Sequence, residues 1–97
     1  MKLTEEHAAL VKGMLDRGDR QHDIAAFFGV NAGRIAEIKT GDRFPEVKAA
    51  PKRDLPAQSA MTGGIAIFEA RRALTRARMG IDAAFASLDE FERSREI

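Results

Sequence analysis

Gly18, Gly29 and Gly41 divide the first part of the sequence into stretches whose apolar residues recur at helical spacing. Such punctuation leaves room only for short helices joined by tight turns. Thr4 is a good N-cap, Glu5 and Glu6 suit the positive end of a helix, and Leu3 can staple onto the first turn. Leu10, Val11, Met14 and Leu15 follow, and Gly18 supplies a left-handed stop, so a first helix is predicted over residues 5 to 17. Asp19 is placed to cap a second start, where Ile24, Ala25, Phe27 and Phe28 load a short helix that Gly29 ends. Asn31 is placed to cap a third helix carrying Ile35 and Ile38, ended by Gly41.

Two helices crossing at roughly a right angle need a small residue where their backbones approach, a glycine at the turn, and apolar residues around the crossing. Ala25, Gly29, Val30, Ile35 and Ile38 meet those demands, and Ile24 and Phe28 complete the inward set. The run GDRQHDIAAFFGVN at residues 18 to 31 resembles the helix-turn-helix of the homeodomain-like superfamily, in particular the DNA-binding domain of serine invertases and resolvases. There a comparable glycine, an Ile/Leu-Ala pair and a Phe-Gly-Ile/Val turn occur. The resemblance covers residues 4 to 40 and implies a three-helix head that binds double-stranded DNA. No recombinase catalytic domain is read ahead of the motif, so recombination is not implied.

In such a motif the second helix of the pair enters the major groove. Its outward positions here are Asn31, Ala32, Gly33, Arg34, Ala36 and Glu37. Arg34 can pair with guanine or a phosphate, Glu37 can accept from a cytosine amine, and Ala32 or Ala36 can meet a thymine methyl. Gly33 permits close approach to the DNA surface. Lys39 and Arg43, with Lys12, Arg17 and Arg20, are the candidate phosphate contacts. One basic and one acidic long side chain make a thin set of readers, so specificity calls for a second copy or for shape readout. Residues 1 to 44 hold seven basic and seven acidic side chains, a balance that keeps open a three-helix fold used only for protein contacts.

All three prolines, Pro45, Pro51 and Pro56, fall between residues 45 and 60, which predicts a linker there. Beyond it Ile67, Leu74, Ile81 and Leu88 are spaced by seven, and Ala70, Ala77, Ala84 and Phe91 follow them at three residues' distance. Heptads with apolar a and d positions predict a coiled-coil seam, with Ile67, Leu74, Ala77, Ile81, Leu88 and Phe91 as dimerisation residues. Gly80 lies inside this run and costs roughly 1 kcal/mol relative to alanine in a helix interior. With Asp82 as a cap after it, a hairpin of residues 63 to 79 and 82 to 95 competes with one long rod, although the heptad continues in phase across Gly80 and favours the rod. An amphipathic helix folded back on the head is a further alternative. Residues 61 to 80 hold four basic and one acidic side chain, and residues 81 to 97 hold two and five. A parallel pair would set like charge beside like, so antiparallel association is favoured.

The remaining signals mostly exclude. Net charge of +1 argues against a uniformly basic coat for nucleic acid, so DNA affinity must come from placement of charge. The absence of cysteine removes disulfides and sulfur-ligated metal sites and makes a reducing cytoplasm the expected compartment. No stretch has the apolar length to cross a bilayer, and the acidic start does not resemble a signal peptide. His7 and His22 lie far apart near helix starts and are expected to be exposed, not metal ligands. Thr62-Gly63-Gly64 lacks the lysine of a phosphate loop and reads as the cap of the last helix. No catalytic constellation, cofactor site or metal site is read. The expectation is an all-α protein with a helix-turn-helix head at residues 1 to 44, a linker at 45 to 60, and a helical dimerisation tail at 61 to 97. Its expected function is that of a small homodimeric transcriptional regulator. The alternatives are an antitoxin whose tail wraps a toxin and a helical assembly protein that does not bind DNA.

Overall fold

A computed structural model describes residues 1–95, and short helices form where the caps and stops place them: α1 over Glu5–Arg17, α2 over Gln21–Phe28 and α3 over Ala32–Thr40. A long helix, α4, covers Gly64–Arg95, and the described residues contain no strand. Packing divides the chain after Ile65, with Met1–Ile65 forming one unit and the rest of α4 another.

Thr4 caps α1 reciprocally with His7: its Oγ1 accepts the His7 N–H at 3.2 Å, and His7 Nδ1 accepts the Thr4 N–H at 3.1 Å. His7, expected to be exposed, is half-buried, and its ring meets the Phe28 ring edge-on at 5.7 Å. Gly18, Gly29 and Gly41 all take left-handed conformations, with φ of 97°, 70° and 88°. A core forms from Ala8, Leu10, Val11 and Met14 of α1, Ile24, Ala25, Phe27 and Phe28 of α2, and Ile35 and Ile38 of α3. Phe27 and Phe28, adjacent in sequence, are both buried and pack edge to face at 5.0 Å. Leu15 and Val30 lie half-buried at the rim.

Where composition predicts a linker, the chain instead runs back over α1. Phe44, at φ 53°, takes a left-handed conformation unusual for a large side chain and turns the backbone towards that helix. Lys12 Nζ then donates to the Phe44 and Val47 carbonyls, both at 2.6 Å. The Ala50 N–H donates to the Ala9 carbonyl at 2.9 Å. Leu55 and the Ala50 carbonyl lie so close to Gly13 that a β-carbon there would meet them at 2.7 and 2.8 Å. Pro56 is buried, and its carbonyl accepts from Arg17 Nη1 at 2.6 Å. The prolines do prevent regular structure, since only 3₁₀ turns at Lys52–Asp54 and Gln58–Gly63 occur here. They do not keep the segment away from the helices.

Lys12 and Arg17, candidate phosphate contacts by sequence, are thus consumed in holding this strap. Asp19 is also diverted. It was placed to cap α2, yet the N-cap is Arg20 without a side-chain bond, and Asp19 pairs with Arg17 Nη2 at 2.6 Å and accepts from Gln58 Nε2 at 2.6 Å. A carboxylate with a guanidinium partner and a strap amide gains more from that cluster than from one exposed cap.

α4 runs through Gly80 without a break, so the rod forms and the hairpin does not. The flanking alanine, arginine, leucine and methionine are strong helix formers and offset one glycine. None of the α4 residues is described as buried. At ~1.5 Å per residue the helix is roughly 48 Å long.

Two outcomes are expected from the strap. Gly13→Ala should lower the urea midpoint and expose the Ala50 amide to hydrogen exchange, although alanine has the better helix propensity by roughly 1 kcal/mol. The reason is that Ala50's carbonyl is backbone and cannot step aside as a side-chain end can; a variant more stable than the parent would refute this. The second outcome concerns pH. Burial pushes the Asp19 carboxyl up, but the hydrogen bonds from Arg17 and Gln58 and the Arg17 charge outweigh it and hold the group below its usual value. Because the folded value is the lower one, this stabilisation is complete above the ordinary carboxylate range and is lost as pH falls through the lowered value. Thermal melts between pH of roughly 7 and 3 should show a smaller acid loss for Asp19→Asn than for the parent.

Candidate nucleic-acid interface

α3 is anchored through one face and open on the other. Ile35 and Ile38 are buried against α1 and α2, which turns Ala32, Gly33, Arg34 and Lys39 to the surface and leaves Ala36 and Glu37 half-buried. At its start Asn31 is the N-cap, with Oδ1 accepting the Gly33 N–H at 2.7 Å. A β-carbon on Gly33 would come within 2.9 Å of that Oδ1. Gly33 therefore has a local reason, the fit of the cap, in addition to any approach to DNA.

Arg34, Glu37 and Arg43 come together. Glu37 Oε2 lies 3.7 Å from Arg34 Nη1 and 3.7 Å from Arg43 Nη1, and the Arg43 N–H donates to the Glu37 carbonyl at 3.2 Å. The side chains of Arg34, Glu37 and Arg43 are 54%, 39% and 41% exposed, so each ion pair contributes on the order of 0–1 kcal/mol, and a competing anion can displace it. Arg43 also lies over the Phe44 ring at 5.9 Å, which links this corner to the turn that starts the strap.

A cleft of about 280 Å³ opens here, lined by Met1, Lys2, Leu3, Arg34 and Arg43. Lys2 was missed by sequence reasoning, since it sits outside any helix and far from α3 in the chain. Its place follows only from how Leu3 and Thr4 lead into α1. The cluster of Lys2, Arg34 and Arg43 against Glu37 is locally basic in a unit of balanced charge. Lys39 is exposed in the last turn of α3, and Arg20 is exposed at the start of α2; neither lines this cleft.

A second hollow of about 390 Å³ is lined by Asp19, Asp23, Ala26, Phe27, Gln58, Met61 and Thr62. Its most buried polar group, Asp19, is already bound by Arg17 and Gln58, so the hollow offers an apolar floor and little reactive chemistry. No grouping of three or more His, Cys, Asp or Glu able to hold a metal occurs among the described residues.

The residues expected to dimerise all lie on α4. Ile67, Leu74, Ile81, Leu88 and Phe91 are between 52% and 71% exposed, and Ala77 is exposed too, so the apolar stripe faces outward along the helix. No helix among the described residues is long and apolar enough to cross a membrane. The chain matches no protein-family model, and neither a curated protein nor a solved structure is significantly similar to it.

Proposed function

We propose that the chain is a sequence-specific DNA-binding protein of helix-turn-helix type, acting as a small homodimeric transcriptional regulator by binding and not by catalysis. The observation that carries this reading is the outward face of α3: Arg34 is exposed beside Lys2 and Arg43, on a helix anchored from behind by Ile35 and Ile38. The tight link from α2 to α3 supports it. Gly29 is left-handed, the Val30 N–H returns to the Ala25 carbonyl at 3.0 Å, and Asn31 caps α3 at once. Arg34 is the proposed base reader, and Glu37, Ala32 and Asn31 line the same face. Lys2, Lys39, Arg20 and Arg43 are the proposed phosphate contacts. The proposed setting is cytoplasmic.

Glu37 gives the site a gate against indiscriminate binding. It neutralises Arg34 and Arg43 while the face is free and must give them up when phosphates or a guanine compete. A second reading, an antitoxin whose α4 wraps a toxin, draws on the exposed apolar stripe of that helix.

Footprinting or mobility shift on DNA upstream of the protein's own gene tests the proposal. Arg34→Ala should weaken binding to the recovered site by roughly 1–3 kcal/mol and relax preference at one base pair. Lys2→Ala should weaken binding uniformly across sequences and reduce the salt slope by about 1. An isotherm and base preference unmoved by Arg34→Ala would remove Arg34 as the base reader, and indifference to every duplex at low salt would remove the DNA-binding reading. Glu37→Gln should tighten binding to random duplex at low salt, because it frees two arginines and removes a charge that phosphates repel. Weaker binding to random duplex would show that Glu37 instead positions the arginines for contact.

A further inference from the structure

We infer that α4 pairs with α4 of a second copy in antiparallel orientation, in one register centred on Met79, with Gly80 at the point of closest approach. This rests on the reading of α4 as the self-association helix and adds the orientation and register of its partner.

The argument begins with side-chain size along the exposed stripe. The a positions Ile67, Leu74, Ile81 and Leu88 are large, and the d positions Ala70, Ala77 and Ala84 are small, with Phe91 as the exception. A parallel pair sets a against a and d against d, so its layers alternate between two large residues and two alanines, and the alanine layers leave voids. An antiparallel pair sets a against d. Centred on Met79, Ala70 meets the partner's Leu88, Leu74 meets the partner's Ala84, and Ala77 meets the partner's Ile81. Ile67 closes each end against the partner's Phe91. Each inner layer then holds one large and one small residue, and every a and d position is used. A shift by one heptad in either direction leaves an end of the stripe unpaired.

Charge selects the same arrangement. Arg71, Arg72, Arg76 and Arg78 lie off the stripe in the first half of α4, and Asp82, Asp89, Glu90 and Glu92 lie off it in the second. Antiparallel pairing lays each basic half along the partner's acidic half, whereas parallel pairing lays four arginines along four. Glu69, Arg93 and Arg95 break this pattern only towards the ends.

Gly80 supplies an independent observation. A β-carbon there would meet nothing within 4 Å, so no contact among the described residues requires a glycine in the middle of an exposed helix, where it weakens the helix. In the heptad Gly80 is a g position beside the seam, and the g positions are all small: Ala73, Gly80, Ser87 and Ser94. In the register centred on Met79, Gly80 lies next to the two-fold axis and beside its own copy. The helix lacks a side chain where a second backbone comes nearest.

The sequence has no cysteine, so introduced thiols report contacts without background. Ala70→Cys and Leu88→Cys are made separately in the full chain and oxidised without DNA, alone and after mixing. Neither should link to itself, because two copies of position 70 lie about 27 Å apart along the antiparallel rod at ~1.5 Å per residue. The mixture should yield a 70 to 88 disulfide by mass spectrometry, and the parent should sediment as a dimer. Self-linking of Ala70→Cys would make the pair parallel; a parent that is monomeric at every concentration, or a mixture with no mixed product, would also overturn the inference. Gly80→Leu provides a second arm and should weaken dimerisation about tenfold or more by sedimentation while helicity is kept. Unchanged or tighter association would remove Gly80 from the crossing. DNA is absent from every arm, so failure here leaves the DNA-binding reading standing, and failure of that reading leaves the disulfide pattern unmoved.

Discussion

The close approach of residues 50 to 55 to Gly13 is the contact on which the amino-terminal unit depends. Three helices of this length enclose a small core, and small cores are marginal in isolation. The strap enlarges the unit by burying Pro56, covering α1 with Leu55 and engaging Lys12 and Arg17 through their charged ends. A side chain at residue 13 would hold the strap off, and the hydrogen bonds on either side of it would lose their geometry together. A glycine in the middle of a helix weakens the helix locally, and here that cost is the condition for a tertiary contact.

The same arrangement sorts the cations of the unit into two groups. Lys12 and Arg17 point to the strap and are satisfied by carbonyls and by Asp19. Lys2, Arg34 and Arg43 line one cleft beside α3, where the half-buried Glu37 carboxylate opposes the two arginines. Balanced net charge therefore conceals a local excess. Phe44 joins the two groups, since its left-handed turn starts the strap, its carbonyl accepts from Lys12, and its ring lies under Arg43.

α4 stands in contrast. Its regularity comes from helix-forming residues, and none of its described residues is buried. An apolar stripe of this length left in water is unfavourable by the ordinary hydrophobic effect, so a partner surface is the natural account of its pattern. In the proposed dimer two weak properties would support each other: a face with few candidate base readers would gain from being presented twice, and a small head from the association that presents it.

Helix positions, left-handed glycine stops and nearly all of the core were legible in the sequence, because each rests on local rules. Thr4 and Asn31 cap the backbone beside them, Gly18, Gly29 and Gly41 stop it, and the apolar spacing of Met14, Ile24, Phe28 and Ile35 needs no knowledge of distant residues. The continuity of α4 through Gly80 was legible in the same way, from a heptad that keeps phase. The outward face of α3 followed from its periodicity. Tertiary structure alone decided the partners of groups that local rules leave free. Asp19 could cap α2 or accept from Gln58; Lys12 could be a surface cation or a clamp; Gly13 could be a flaw or a seat; prolines at 45, 51 and 56 exclude a helix without saying whether the chain lies against one. Those choices turn on contacts between residues some 30 to 40 positions apart, such as Lys12 with Val47 and Arg17 with Pro56, and no spacing rule along the chain reaches that far. Lys2 joined Arg34 and Arg43 for the same reason: the fold, not the order of residues, sets which charges share one cleft.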